Sequence, residues 1–256
     1  MTRPPLLKRI ATLRPAAPAL PRALALSSGE IPLEIRHNPR AKRIIMRVAP
    51  GGAALSLTIP PRARAEIVLD FLERHRGWAE ARIAAAPKRL KVEDGAELPF
   101  RGGTLLIVHE PGRRASELLP PDEDGEPARL FVGGAPEHLG RRTADRLKRE
   151  AKTRLQKAVA KHAAAVGLSP RAMQLKDTTS RWGSCTHDRR LAFSWRIIMA
   201  PPHVLDYLVA HEVAHFREMN HGPHFWALCR SLCPRTEESK AWLKHHGASL
   251  HTIDFE

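Results

Sequence analysis

Cysteine is scarce in this chain. Cys185, Cys229 and Cys233 are the only three in 256 residues, an odd count that builds no disulfide framework and fits a reducing compartment, so a cytoplasmic protein is expected. Cys229 and Cys233 stand four apart in a helical stretch, where they could share a metal, but two small apolar side chains on one helix face is the simpler reading. Long apolar runs are also missing. None approaches the roughly 18 uninterrupted residues of a membrane-spanning helix, and the best N-terminal stretch, residues 16–26, is broken by Pro18, Pro21 and Arg22 where a secretory signal needs a clean apolar centre. The basic, acid-poor stretch 1–28 could serve as an organelle transit segment, but its Pro- and Ala-rich composition is that of a disordered tail. Neither a glycine-rich phosphate loop nor an internal repeat is evident, and no sustained strand-helix alternation supports a doubly wound nucleotide-binding sheet.

Acidic residues are the other deficit. Against 42 Lys and Arg there are 27 Asp and Glu, a formal charge of +15 that attracts polyanions whatever the fold. The excess is concentrated, with ten Arg and Lys against two acids over residues 1–47 and nine against three over 137–161. A solvated tail with a solvated helix face and a genuine nucleic-acid or acidic-partner contact are equally good readings of this charge.

The patterning that is present predicts an α+β chain. Residues 31–60 alternate apolar and polar around Asn38-Pro39 and Pro50-Gly51-Gly52, as in a small β meander joined by turns. Helical spacing follows over 62–86, stopped by Pro87. Short strands are expected at 90–92 and 104–109, then a polar loop over 111–130. A long helix over 137–166 carries Leu139, Ala144, Leu147, Ala151, Leu155, Ala158 and His162 as one apolar stripe. Two or three strands are expected over 171–200, with turn signals at Trp182-Gly183-Ser184 and Thr186-His187-Asp188, after which Pro201-Pro202 opens a helix. The organisation read from this is a tail over 1–28, a strand-rich portion over 29–134 and a core over 135–256 that carries the chemistry; the last two are not expected to be independent.

That last helix holds the chemistry, because His211, Glu212, Val213, Ala214 and His215 spell HExxH behind apolar Val204, Leu205, Leu208 and Val209. Four helical residues advance about 400° and 6 Å, so both imidazoles project from one face and can grip one ion. Glu212 lies about 100° round from His211, placing its carboxylate beside an ion rather than on it. Two ligands hold zinc poorly. His221 follows a turn made by Asn220, Gly222 and Pro223 and can supply a third, although spacing leaves His224 as a rival. Three neutral ligands with an open fourth position make a catalytic rather than a structural Zn2+ site, and Glu212 would take a proton from an activated water as general base. Tyr207, the only tyrosine, lies one turn before His211 and could approach the cleft, but is read first as a packing residue. Trp182, Trp195, Phe225 and Trp226 are read as residues that shape and dry the site.

The segment from Thr178 to Trp226, with RWGSC, HEVAH and NHGPHFW, and the closing KAWLKHHG resemble the YgjP-like zinc metallopeptidase family, similar in turn to SprT-like peptidases. The resemblance is strong over the C-terminal third and looser before it. It puts His221 on the family's metal position and His224 on a variable one. It also implies a zincin-like C-terminal core in which a strand from the RWGSC hairpin edges the cleft, where an extended peptide substrate could pair with it. No function for the basic tail follows from it.

Overall fold

The structure is a computed structural model that describes residues 19–86, 89–122 and 125–256. Most of the expected tail therefore lies outside the described residues. The chain divides into two compact units, Met1–Ala86 and Pro87–Glu256. The fold class is mixed helix and strand, rich in strands toward the N-terminus and in helices toward the C-terminus.

In the first unit, β1 (Ala23–Leu26), β2 (Gly29–His37), β3 (Ile45–Val48) and β4 (Leu55–Ile59) form one sheet in the order β1-β2-β4-β3. This is not the meander that the turn signals suggest. β2 and β4 run parallel, from Leu33 opposite Leu55 to His37 opposite Ile59, while β3 pairs antiparallel on the far side of β4. A parallel pair needs a crossover of about a dozen residues or more, and the stretch between His37 and Leu55 is long enough to make one, carrying β3 to the edge on the way. The helical run that follows is divided at His75 into α1 (Ala65–Arg74) and α2 (Arg76–Ala84). Val68, Leu72 and Ala79 close over Leu33, Leu55, Leu57 and Ile59, giving this unit its own core.

The second unit opens with β5 (Leu90–Lys91), β6 (Glu97–Phe100), β7 (Gly103–His109), β8 (Glu117–Leu119) and β9 (Ala128–Val132). Strand β8 lies inside the stretch expected to be a loop, and β9 begins within its last three residues. The order β6-β7-β9-β8, with β7 and β9 parallel over five residue pairs and the outer two antiparallel, repeats the first sheet strand for strand. The parallel pairing ends at His109 opposite Val132, as it ends in the first sheet at His37 opposite Ile59. A repeat is therefore present in topology although the sequence does not announce one.

The long helix α3 (Leu139–Val166) stops at Gly167, whose φ of 67° is the left-handed conformation glycine adopts without strain. Its buried row runs through Leu139, Ala144, Leu147, Ala151, Leu155 and His162, as the periodicity predicts, with Val159, Ala163 and Val166 added, while Ala158 of the expected stripe is only half-buried. Three further strands, β10 (Ala172–Lys176), β11 (Gly183–Cys185) and β12 (Arg190–Ser194), pair in the order β10-β12-β11, so that β11 is an edge. Then come α4 (Pro202–Ala214), α5 (Pro223–Leu232), α6 (Thr236–Leu250) and β13 (Ile253–Asp254), the last pairing in parallel with β5. Buried His162 on α3 faces Asp206 on α4 at 2.8 Å, and this contact, with apolar packing of Leu155 and Val159 near Leu205 and Val209, fixes α4 against α3. No helix is long and apolar enough to cross a membrane among the described residues.

Candidate active site

The site is built on α4, whose Pro201-Pro202 start places proline where a first-turn donor is not needed. Val204, Leu208, Val209 and Val213 bury one side of the helix in the core, which fixes the direction in which His211 and Glu212 point. The helix ends at Ala214, one residue earlier than the motif requires, but His215 keeps right-handed helical angles as its C-cap and the two imidazoles still share a face. A short turn then brings His221 back, and Pro223 opens α5.

His211, His215 and His221 converge. One ring nitrogen from each lies within 4.8 Å of the other two, and Nε2 of His221 is 3.0 Å from Nε2 of His211. Bonds of about 2.0–2.1 Å to a tetrahedral ion separate two nitrogens by about 3.3 Å, so this spacing suits a shared divalent metal. Two of the remaining nitrogens have partners of their own. His215 Nδ1 donates to the Glu218 carbonyl at 2.9 Å, leaving its Nε2 as a lone-pair donor, and His211 Nδ1 lies 3.5 Å from the Tyr207 hydroxyl. Burial favours neutral imidazoles. It pushes His211 down to about 4, with help from His215 and His221, and lowers His215 as well, and a neutral ring is the form that binds metal.

Phe225 is the packing centre of this cluster. Fully buried at the start of α5, its ring centroid stands 4.6 Å from those of His215 and His221 and 4.9 Å from that of His211. Trp226 closes the outer side, 5.7 Å from His221, with the Lys240 ammonium over its own ring at 4.3 Å. Trp182 stacks on His251, and Trp195 meets Phe255 edge to face. His224, the spacing rival, is exposed on the first turn of α5 and is not part of the cluster. Cys229 and Cys233 are buried among Tyr207, Ala210, Ala214 and Phe225, and all three cysteines are free thiols.

Glu212 is only 4% exposed. Burial pushes its carboxyl up to about 7 against the opposing pull of Arg181. The wall beside it is β11, a contact that the residue pattern does not reveal. Gly183 reads as a turn residue, yet it sits within the strand, and a Cβ there would come within 2.8 Å of Glu212 Cγ and Cδ and closer still to Oε1. The glycine therefore serves the close approach of a side chain. A lone glycine in a strand pattern is the available signal, and turn chemistry conceals it. Gly183→Ala should lower turnover on the order of tenfold or more by displacing the carboxylate, within the range of general acid-base contributions, while bound metal per chain stays the same; turnover and metal content measured on one preparation check this.

No curated protein matches the chain. Among solved structures it is similar over 36% of its length to the metallopeptidase zymogens abylysin of Pyrococcus abyssi (12% identity, 95% of that chain, TM-score 0.33) and jannalysin of Methanocaldococcus jannaschii (16%, 94%, 0.32). These likenesses are too low to carry weight. The family description YgjP-like, metallopeptidase domain, matches residues 42–246, which include every residue of the site described above. The chain belongs to the YgjP-like metallopeptidase family.

Proposed function

We propose that this protein is a zinc-dependent metallopeptidase, with His211, His215 and His221 as the metal ligands and Glu212 as general base. The observation that carries the reading is the convergence of three imidazole nitrogens beside a buried, unliganding carboxylate one residue along the same helix. Three neutral ligands suit zinc and leave it a free coordination position. A bound divalent ion supplies Lewis acidity, which polarises a peptide carbonyl and makes a nearby water acidic.

The chain's own residues do the rest. Glu212 takes up a proton at its carboxylate and hands it to the leaving amine, a task suited to a group held near neutrality by burial. Phe225 and Trp226 pack against the imidazole cluster and hold its rings in place, while His221 stays open to solvent. The edge of β11, unpaired among the described residues, offers backbone donors and acceptors to an extended substrate, the mode by which peptides add to a sheet. Free thiols fit action in a reducing compartment such as the cytoplasm.

Stripping the protein with a chelator should abolish cleavage of an unstructured casein substrate, and one equivalent of zinc should restore it. The same addition should raise thermal stability by about 2.7 kcal/mol when free metal stands a hundredfold above its Kd. Folded, zinc-loaded protein that cleaves no peptide substrate at all would overturn the proposal.

A further inference from the structure

The cations of α3 that the peptidase reading leaves unused gather in one furrow. Arg146, Glu150, Arg154, Lys157 and Lys161 follow one another at helical spacing. Cavities of about 690 and 400 Å³ lie along this face, and Arg101 and Arg154 line both. Arg101 comes from the tip of the β6–β7 hairpin, between Phe100 and Gly103.

The ridge between the cavities carries surplus positive charge. Glu150 accepts from Arg154 Nε at 2.8 Å and from Arg146 Nη1 at 3.3 Å, so one carboxylate is shared by two guanidiniums. Burial first and Arg154 second pull the Arg101 guanidinium below its usual range, against the opposing pull of Glu150. Among the described residues no carboxylate stands within ion-pair distance of Arg101 or Lys157, whereas Lys161 is paired with Asp206 at 3.1 Å. Among the described residues, Glu126 is the other acid on the larger cavity's wall.

Backbone strain marks the same place. Arg101 has a φ of 51° and Gly102 one of 88°, so the hairpin tip needs two positive φ values where asparagine or glycine is the ordinary first residue. A strained non-glycine residue held at such a position points to a role for its side chain.

The shape selects the class of ligand. From Arg146 to Lys161 the helix runs about 22 Å, so a compact anion would meet one or two of these cations and a chain-like polyanion would meet them in succession. Between the charges lie apolar surfaces, Phe100 and Leu118 in one cavity and Pro202 and Leu205 in the other. A cationic track with apolar recesses suits unpaired bases strung on phosphates better than an acidic peptide, which has no flat apolar group to fill them. We propose that this furrow binds single-stranded nucleic acid, its phosphates against Arg101, Arg154 and Lys157 and its bases in the flanking cavities. The proposal does not depend on the peptidase reading.

Anisotropy titration of the full chain with a fluorescein-labelled oligo(dT) of about 20 nucleotides, between about 50 and 200 mM salt, tests it. The double variant Arg101→Gly, Lys157→Gln keeps the fold, since glycine relieves the strained φ, and its melting temperature should equal or exceed that of the parent. Its Kd should rise roughly tenfold, and its salt dependence should flatten by about 1.4 log units per log unit, for two lost phosphate contacts. Lys176→Gln with Lys244→Gln removes the same charge from exposed sites outside the furrow and should leave Kd within about twofold. Equal losses in both double variants, no loss in either, no binding by the parent, or equally strong competition by poly-L-glutamate of matched charge would overturn the proposal.

Discussion

Glu212→Gln should lower kcat by about 10²- to 10⁴-fold, the range that positioned acid-base groups contribute, while the protein keeps one equivalent of metal. The substitution preserves shape and volume, so neither the packing of α4 nor the room left by Gly183 is disturbed. What it removes is the ability to accept a proton. Glu212 is not one of the three converging donors, which is why metal content should not follow activity. KM should stay within a few-fold, because the lost interaction belongs to proton transfer rather than to substrate binding. The comparison separates an enzyme from a structural zinc module, since a module whose metal only holds the fold would be indifferent to the change. Metal content by elemental analysis and turnover on casein, measured on the same sample, decide the matter. Unchanged turnover would remove Glu212 from the mechanism.

Sequence periodicity is informative here where one physical force sets the pattern. Helix α3 must bury a stripe along its whole length, so Leu139, Leu147 and Leu155 show both its extent and its face. HExxH is legible for a similar reason, because two ligands on one face can be spaced in few ways on a helix. The sheets are less legible. Strand existence follows from alternation, but strand order follows from where a connection crosses, and nothing local in Ile45–Val48 says that it will lie outside β4 rather than beside β2. The repeated topology is hidden for the same reason, although IRHNPRAKR across the end of β2 and IVHEPGRRA across the end of β7 align once the structure shows where to look. Within the site, the hidden elements are contacts between distant segments. Gly183 against Glu212 is set by packing, and a residue type alone does not announce it, whereas the Tyr207 hydroxyl near His211 Nδ1 follows from their one-turn spacing on α4.

His211→Ala and His221→Ala should each remove bound metal from the purified protein and bring activity to background. The lost Lewis acidity is worth several kcal/mol of barrier, on the order of 10³-fold or more. Two imidazoles cannot replace three, because each contributes one donor and the remaining pair leaves the ion mostly in water. The informative partner is His224→Ala. It is exposed and stands outside the cluster, so its loss should change metal content not at all and turnover by less than about twofold, as surface substitutions generally do. The expected contrast has a local cause. Phe225 stacks its ring edge against His221 and not against His224, and Gly222-Pro223 ends the turn between the two histidines, so one imidazole is folded in toward α4 while the other is carried outward on the new helix. Equal effects of His221→Ala and His224→Ala on metal content would mean that this turn is built differently in solution, and the three-imidazole site would fall with it.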